Sequence, residues 1–242
     1  MDTVLIQHNF TGTSANYSMS NISSGYYYNY TPLAAGTYVW KTYANDTSNN
    51  INSTDQWTYT VSKASTTCSL TFTPSSPSDY GTPLNVSCSC TNPESTAALY
   101  RNGTDVTAAE NNQNTTLAAG SYSYVCNTSE TQNYTSSSNS STFKINKLSS
   151  AVNLTLNSFD SNISVEVYSD VNATASRITG ESTIQLYRQG TLINSGTTSI
   201  TNTTNETTIG TINYTILYPS SQNYSSNSET HFVTVVDNIS PA

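Results

Sequence analysis

The sequence is poor in charge, in histidine and in long apolar runs, and each shortage excludes something. Only 9% of the 242 residues are charged, 7 Lys and Arg against 15 Asp and Glu, for a net charge of −8 at pH 7. An acidic chain with so few cations is not expected to hold a phosphate backbone, so no nucleic acid partner is expected. No apolar run approaches the ~18 residues that a membrane-spanning helix needs, and no direct membrane span is expected. Met1-Asp2 opens on TVLIQ without the pattern of a signal peptide, so the chain is expected to be a mature product or a piece of something longer.

Histidine, the side chain that titrates near neutral pH, occurs only as His8 and His231. Both alternate with apolar neighbours, as ordinary strand residues do. The GxSxG, GxxxxGK[ST] and HExxH patterns are missing. Asp46, Asp55, Asp105, Asp160, Glu166 and Asp170 are scattered along the chain. Asp160 and Asp170 could contribute to an inter-module calcium site, but structural calcium is not expected. The chain is therefore read as no enzyme, with no catalytic residue, no cofactor and no metal site.

What is abundant is Ser, Thr and Asn, together 110 residues, accompanied by 18 Tyr. Tyr, Thr, Ile and Val recur with a period near two, which argues for strands rather than disorder. Among 29 Asn, chance would place roughly 10 in Asn-x-[Ser/Thr] triplets; there are 20, none with Pro in the middle. They are Asn9, Asn16, Asn21, Asn29, Asn45, Asn52, Asn85, Asn102, Asn114, Asn127, Asn133, Asn139, Asn153, Asn162, Asn172, Asn202, Asn205, Asn213, Asn223 and Asn238. Twice the chance number predicts a chain that passes through an export pathway and carries covalent N-linked glycans.

The phrase L-A-A-G-[TS]-Y occurs twice, at 33–38 and 117–122. A duplicated phrase suits a strand that every copy of a small module needs better than it suits a catalytic loop. Gly36 is followed by Tyr38, Trp40 and Thr42; Gly120 by Tyr122, Tyr124 and Cys126; Gly210 by Ile212, Tyr214 and Ile216. Downstream, TSETQNYTSS (128–137) matches PSSQNYSS (219–226), and ALYRNGT (98–104) matches QLYRQGT (185–191). Three modules follow: residues 1–62, 63–147 and 148–237, with 238–242 a tail or the start of a hinge. The hinges are VSKAS (61–65) and INKLSS (145–150). In the second module the strands read 68–74, 84–90, 96–102, 114–119, 120–127 and 141–147, with SPSDYGTP as a turn. Short alternating strands between Gly, Pro and Asn turns predict an all-β chain of tandem β-sandwich modules of immunoglobulin or fibronectin type.

All four cysteines lie in the second module, and they allow three connectivities. Folding the first strand back about Asp79 sets Cys68 opposite Cys90, which leaves Cys88 to cross between sheets to Cys126. Cys88 and Cys90 share a strand face, so the swapped pairing is the alternative. A metal site is disfavoured, because one residue separates Cys88 from Cys90 and no His is near. The first module has no counterpart of 68–90, so the apolar strand 3–10 is expected to lie bare unless two strands come from preceding chain or a neighbouring subunit, or the module is smaller by nature. Tyr26, Tyr27 and Tyr28 must face both sides of a strand, so at least one is expected to be exposed, shielding backbone, stacking on a glycan or making a contact surface.

LAAGTYVWKTYANDTSNN, DQWTYTVSKA, CSLTFTPSSPSDYGTPLNVSCSCTNPE, LYRNGTDVTA and ETQNYTSSSN resemble the immunoglobulin-like repeats of long, exported archaeal surface proteins over nearly the whole chain. The resemblance implies tandem sandwich modules, heavy N-glycosylation and an extracellular place on a cell surface or in a filament. The expected function is structural, with partners that are copies in a homopolymer or neighbouring modules of a longer chain. An adhesion or carbohydrate-binding protein, with surface glycans as partners, is the alternative.

Overall fold

The structure is a computed structural model and describes residues 3–23 and 25–238. The ends of the first module and of the tail, residues 1–2 and 239–242, lie outside the described residues. Among the described residues strands make up 60% and helix 2%, so the fold is nearly all-β. By packing it divides into two compact units. One holds the residues up to Thr71 with Ser87–Asn111 and Val125–Ser141; the other holds Phe72–Val86, Asn112–Tyr124 and the residues from Thr142 onward. The division runs through segment 63–147, so each unit contains one hinge whole.

Segment 1–62 forms a five-stranded sheet and a separate hairpin. Strand Thr3–His8 lies between Ala15–Ser18 and Gly36–Asn45, and Gly36–Asn45 is flanked on its other side by Ile51–Ser53 and Trp57–Val61. The hairpin pairs Ser20–Ile22 with Gly25–Tyr27. The expectation of a bare first strand is corrected here. Thr3–His8 is bonded on both sides, and aromatic rings surround its last residue: His8 stacks on Phe10 and Tyr17, with Tyr28 and Tyr30 tilted against it. Ile6 and His8 are both buried. Of the tyrosine triplet, Tyr27 is exposed while Tyr26 and Tyr28 are half-buried, as alternation requires.

Segment 63–147 has a three-stranded sheet in the order Asn114–Thr115, Leu84–Cys90, Cys68–Thr73. Its five-stranded sheet runs Thr104–Asp105, Ala98–Arg101, Gly120–Thr128, Ser137–Asn146, Ser78–Asp79. Cys88–Cys126 joins the two sheets and Cys68–Cys90 joins neighbouring strands of the first, the pairing expected from folding the first strand back about Asp79 and not the swapped one. Two readings of this segment are corrected. Residues 114–119 are strand only at Asn114–Thr115; Leu117, Ala118 and Ala119 lie outside any strand. The turn read at 76–83 contains the strand Ser78–Asp79, which pairs parallel with Ser137–Asn146. Pro74 and Pro77 hide it, because proline breaks the alternation that marks a strand. A single helical turn, Thr107–Glu110, also escapes the strand pattern.

Segment 148–237 repeats the arrangement. Ala151–Leu156, Ser169–Thr179 and Ser199–Glu206 form the three-stranded sheet; Ile163–Glu166, Asn227–Val236, Gly210–Tyr218, Ile184–Arg188 and Thr191–Gly196 form the five-stranded one. Inward residues of both sheets make one core, including Leu154, Leu156, Ala173, Ala175, Ile184, Leu186, Ile216 and Val233, all fully buried. Burying such aliphatic side chains contributes about 1.5–3 kcal/mol for each large one, which holds these sheets together without a crosslink.

Candidate functional site

The two histidines are placed for structure. His8 Nδ1 accepts from the Phe10 backbone N–H at 3.1 Å, and burial lowers its pKa, so the ring sits neutral inside its aromatic surround. His231 Nε2 lies 3.0 Å from Asp160 Oδ1 and 3.4 Å from Glu229 Oε1. These three offer ligand atoms within 4.8 Å of one another and, cysteines in disulfides aside, are the one such group among the described residues. Glu229 Oε2 is already taken by the Leu154 N–H at 2.8 Å. Asp160 and Asp170, paired in the sequence reading, have different partners, since Asp170 Oδ1 accepts from Asn205 Nδ2 at 2.9 Å.

An ordered polar cluster occurs at each hinge, and the two clusters match bond for bond. In the first hinge, Ala64 N–H donates to Asn133 O at 2.8 Å and Thr135 N–H to Ala64 O at 3.0 Å; in the second, Leu148 N–H donates to Asn223 O at 2.9 Å and Ser225 N–H to Leu148 O at 2.8 Å. The turn that carries each asparagine is closed by Thr131 N–H to Tyr134 O, or Ser221 N–H to Tyr224 O, both 3.0 Å. Each hinge lysine donates to the carbonyl two residues before the asparagine, Lys63 Nζ to Thr131 O and Lys147 Nζ to Ser221 O.

The asparagine side chains then reach into the preceding segment. Asn133 Oδ1 accepts from Ala35 N–H at 2.8 Å, and Asn223 Oδ1 accepts from Ala119 N–H at 2.9 Å. Beside them Gln132 Nε2 donates to Ala35 O, and Gln222 Nε2 to Ala119 O. Ala35 and Ala119 are the second alanines of the two LAAG phrases, and they are buried. The tyrosine that follows each phrase fastens it from behind, Tyr38 Oη donating to Ala34 O at 2.7 Å and Tyr122 Oη to Ala118 O at 2.9 Å. So L-A-A-G-x-Y is a backbone platform, and Q-N-Y in the next segment is what grips it. That is why the chain repeats both.

A glutamate completes each cluster. Glu94 accepts from Asn133 N–H at 3.3 Å and from Asn133 Nδ2 at 2.5 Å; Glu181 accepts from the Asn223 N–H at 3.1 Å and Nδ2 at 3.0 Å. The side-chain bond from Asn133 holds the Glu94 carboxyl below its ordinary pKa, and Asn223 does the same for Glu181. Neither glutamate stands out in the sequence as functional. The signal that would have found them is an upstream extension of the LYR match: ESTAALYR at 94–101 against ESTIQLYR at 181–188.

The LYR arginines have a matched role as well. Arg101 Nη2 pairs with Glu110 Oε1 at 3.0 Å, and Arg188 pairs with Glu206. Both glutamates are buried. Tyr214 Oη donates to Glu206 Oε1 at 2.6 Å. Burial, and then that bond, raise the Tyr214 pKa.

Of the 20 sequon asparagines, eleven are exposed and nine, including Asn133 and Asn223, are half-buried. Asn16, Asn21, Asn29, Asn52 and Asn172 belong to the exposed set.

No family model matches the chain, and no curated protein matches its sequence. Solved structures similar to it are the fibronectin(III)-like modules of Clostridium thermocellum CbhA, at 15% identity and TM-score 0.28 over 70% of this chain and 95% of that one. Sidekick-1 immunoglobulin domains 1–5 match at 12% identity and TM-score 0.30 over 98% of this chain and 53% of that one. The N-terminal eight Ig domains of Down Syndrome Cell Adhesion Molecule match at 12% identity and TM-score 0.31 over 97% and 37%. At these scores the fold assignment rests on the sheets described above.

Proposed function

We propose that the chain is a non-enzymatic structural component of an extracellular filament or cell-surface layer, a tandem array of glycosylated immunoglobulin-like modules. The observation that carries this reading is the duplicated hinge cluster. A flexible linker needs no such bonds, whereas both hinges spend the same asparagine, glutamine, glutamate and lysine on fixing a segment to the one before it. A repeated rigid joint is what an array must have if length or load is its purpose. Two disulfides support an oxidising compartment outside the cytosol, and the sequon excess supports an export route that attaches sugars.

Small-angle scattering of the full chain tests the array. A compact body of this length has a radius of gyration of about 18 Å; the array predicts a clearly larger value that stays constant with ionic strength. A value at the compact limit overturns it.

One observation favours adhesion to carbohydrate as a second reading. On segment 1–62, Trp57 and Tyr59 are 56% and 55% exposed, and Trp57 stacks on Trp40 with ring centroids 6.3 Å apart. Flat aromatic surface of this kind can receive the apolar face of a sugar. A glycan array separates the readings: a ligand lost in Trp57→Ala supports adhesion, and no ligand leaves the structural role.

A further inference from the structure

We infer that Asn133 and Asn223, although both head Asn-Tyr-[Ser/Thr] triplets, are not sites of sugar attachment but latches, and that a glycan on either and a closed hinge exclude each other. This rests on the glycosylated-array reading for its biological setting, and on the hinge geometry alone for its physics.

The argument starts from what an asparagine side chain has to give. Its amide offers one acceptor oxygen and two N–H donors. At both hinges the oxygen is bonded to the backbone N–H of a buried alanine in the preceding segment, Ala35 or Ala119. The nitrogen donates to a carboxylate that also accepts from the same residue's backbone N–H. A carboxylate that bridges both of these nitrogens uses the amide hydrogen on the side of Cβ. The other hydrogen lies on the side of Oδ1, and it is the one replaced when a sugar is attached in the usual trans geometry. The first sugar ring would therefore grow out beside Oδ1, toward the LAAG platform that Oδ1 grips. The ring and the buried alanine backbone cannot share that space.

The third residue of the first sequon is engaged too: Thr135 Oγ1 accepts from Thr66 N–H at 3.1 Å. Exposed sequons such as Asn16, Asn29 and Asn172 lie under no such constraint. Attachment of sugar precedes or competes with hinge closure, so modification here would leave a chain with an open joint. The two clusters are independent copies of one geometry, so the same exclusion applies at both.

The test has two arms on the full chain. In the first, protein from a glycosylating host is treated with peptide N-glycosidase in heavy-oxygen water, which marks every formerly occupied asparagine by its conversion to aspartate. The mark is expected at Asn16, Asn29 and Asn172, and at least tenfold less at Asn133 and Asn223. Comparable occupancy at all five overturns the inference. The second arm uses unglycosylated protein and reads amide hydrogen exchange. Asn133→Ala should speed exchange at Ala35 at least tenfold with Ala119 unchanged, and Asn223→Ala should do the reverse. Unchanged exchange at both alanines overturns the latch. If no sequon is marked anywhere, the glycosylation reading falls, and the exchange arm alone decides the latch.

Discussion

Segments 63–147 and 148–237 have the same strand order in both of their sheets, yet they are fastened differently. Residue by residue from the hinge lysines, Cys68 corresponds to Val152; Arg177, which faces Val152, is then the counterpart of Cys90, and Ala175 that of Cys88. The crosslink Cys88–Cys126 thus takes the place of Ala175 and Ile216, both fully buried. Leu154 and Leu156 are fully buried in the third segment, while Leu70 and Phe72 at the matching positions of the second are only half-buried. A covalent bond stands where the first strand packs less well. The lesson is that this topology tolerates either a crosslink or a tighter core, provided the buried arginine–glutamate pair is kept.

The largest effect expected from breaking that comparison is loss of the inter-sheet bond. Cys88 and Cys126 are 38 residues apart, so in the chain-entropy account their bond contributes about 4 kcal/mol. Cys88→Ala with Cys126→Ala, or reduction, should lower the calorimetric transition of segment 63–147 strongly. A transition belonging to 148–237 should not move, since that segment has no cysteine. Equal loss in both transitions would mean that the two segments do not melt separately.

Next in size is the buried ion pair, which both segments share. Glu206 is fully buried, while the Arg188 side chain is 29% exposed. Removing the carboxylate charge leaves an arginine that can still reach water, so Glu206→Gln should cost about 3 kcal/mol, the low end for breaking such a pair. Glu110→Gln should cost a similar amount, because Arg101 is exposed to a similar degree. Chemical denaturation measures both. A much smaller effect at Glu110 would show that the disulfides had relieved that pair of its role. Tyr214→Phe should cost less, about 1–3 kcal/mol, through the loss of one bond to a charged acceptor; the variant keeps Arg188 on Glu206.

The sheets were legible in the sequence because alternation is a local signal. Cys68 could be set against Cys90 on paper by folding the first strand back about Asp79, whereas a period of two only puts Cys88 and Cys90 on one face and left the swapped pairing open. The LAAG phrases were legible as repeats but not as what they are. Their apolar residues look like strand, whereas Ala35 and Ala119 offer only backbone to a partner about a hundred residues away. Glu94 and Glu181 were missed for the same reason: their asparagines lie 39 and 42 residues further on, and a fork of hydrogen bonds leaves no period along the chain. Sequons mislead in the opposite direction, since the triplet is local and says nothing of whether the amide is already engaged.

Acid distinguishes the parts of the molecule that the disulfide comparison leaves out. His8 has its pKa lowered by burial, so its folded form stays neutral where an unfolded histidine, with pKa about 6.5, already charges. Its contribution is complete above that pH and is lost as pH falls from the unfolded value toward the folded one. Segment 1–62, which has no disulfide, should therefore be the first to loosen on acidification. Amide exchange across Thr3–His8 would show it, and His8→Phe should remove the pH dependence.

The smallest expected effect lies at the hinges, and it should be the same at both. Glu94 and Glu181 have carboxyls held below their ordinary pKa, first of all by the side-chain bonds from Asn133 and Asn223. For a depressed carboxylate the stabilisation is present above the unfolded value, about 4.3, and it fades as pH falls through the folded value. Both carboxylates face water, so solvent screening keeps the gain small. The readout is therefore local opening rather than global melting. Exchange at Ala35 and Ala119 should accelerate together below about pH 4, after segment 1–62 has already responded. Glu94→Gln should raise the Ala35 rate at neutral pH and flatten its acid dependence while leaving Ala119 as before, and Glu181→Gln should mirror it. If only one hinge responded to acid, the bond-for-bond match between them would be geometric without being energetic. The lysines would then be the place to look, because Lys63 also pairs with Glu130 whereas Lys147 has the Ser220 hydroxyl.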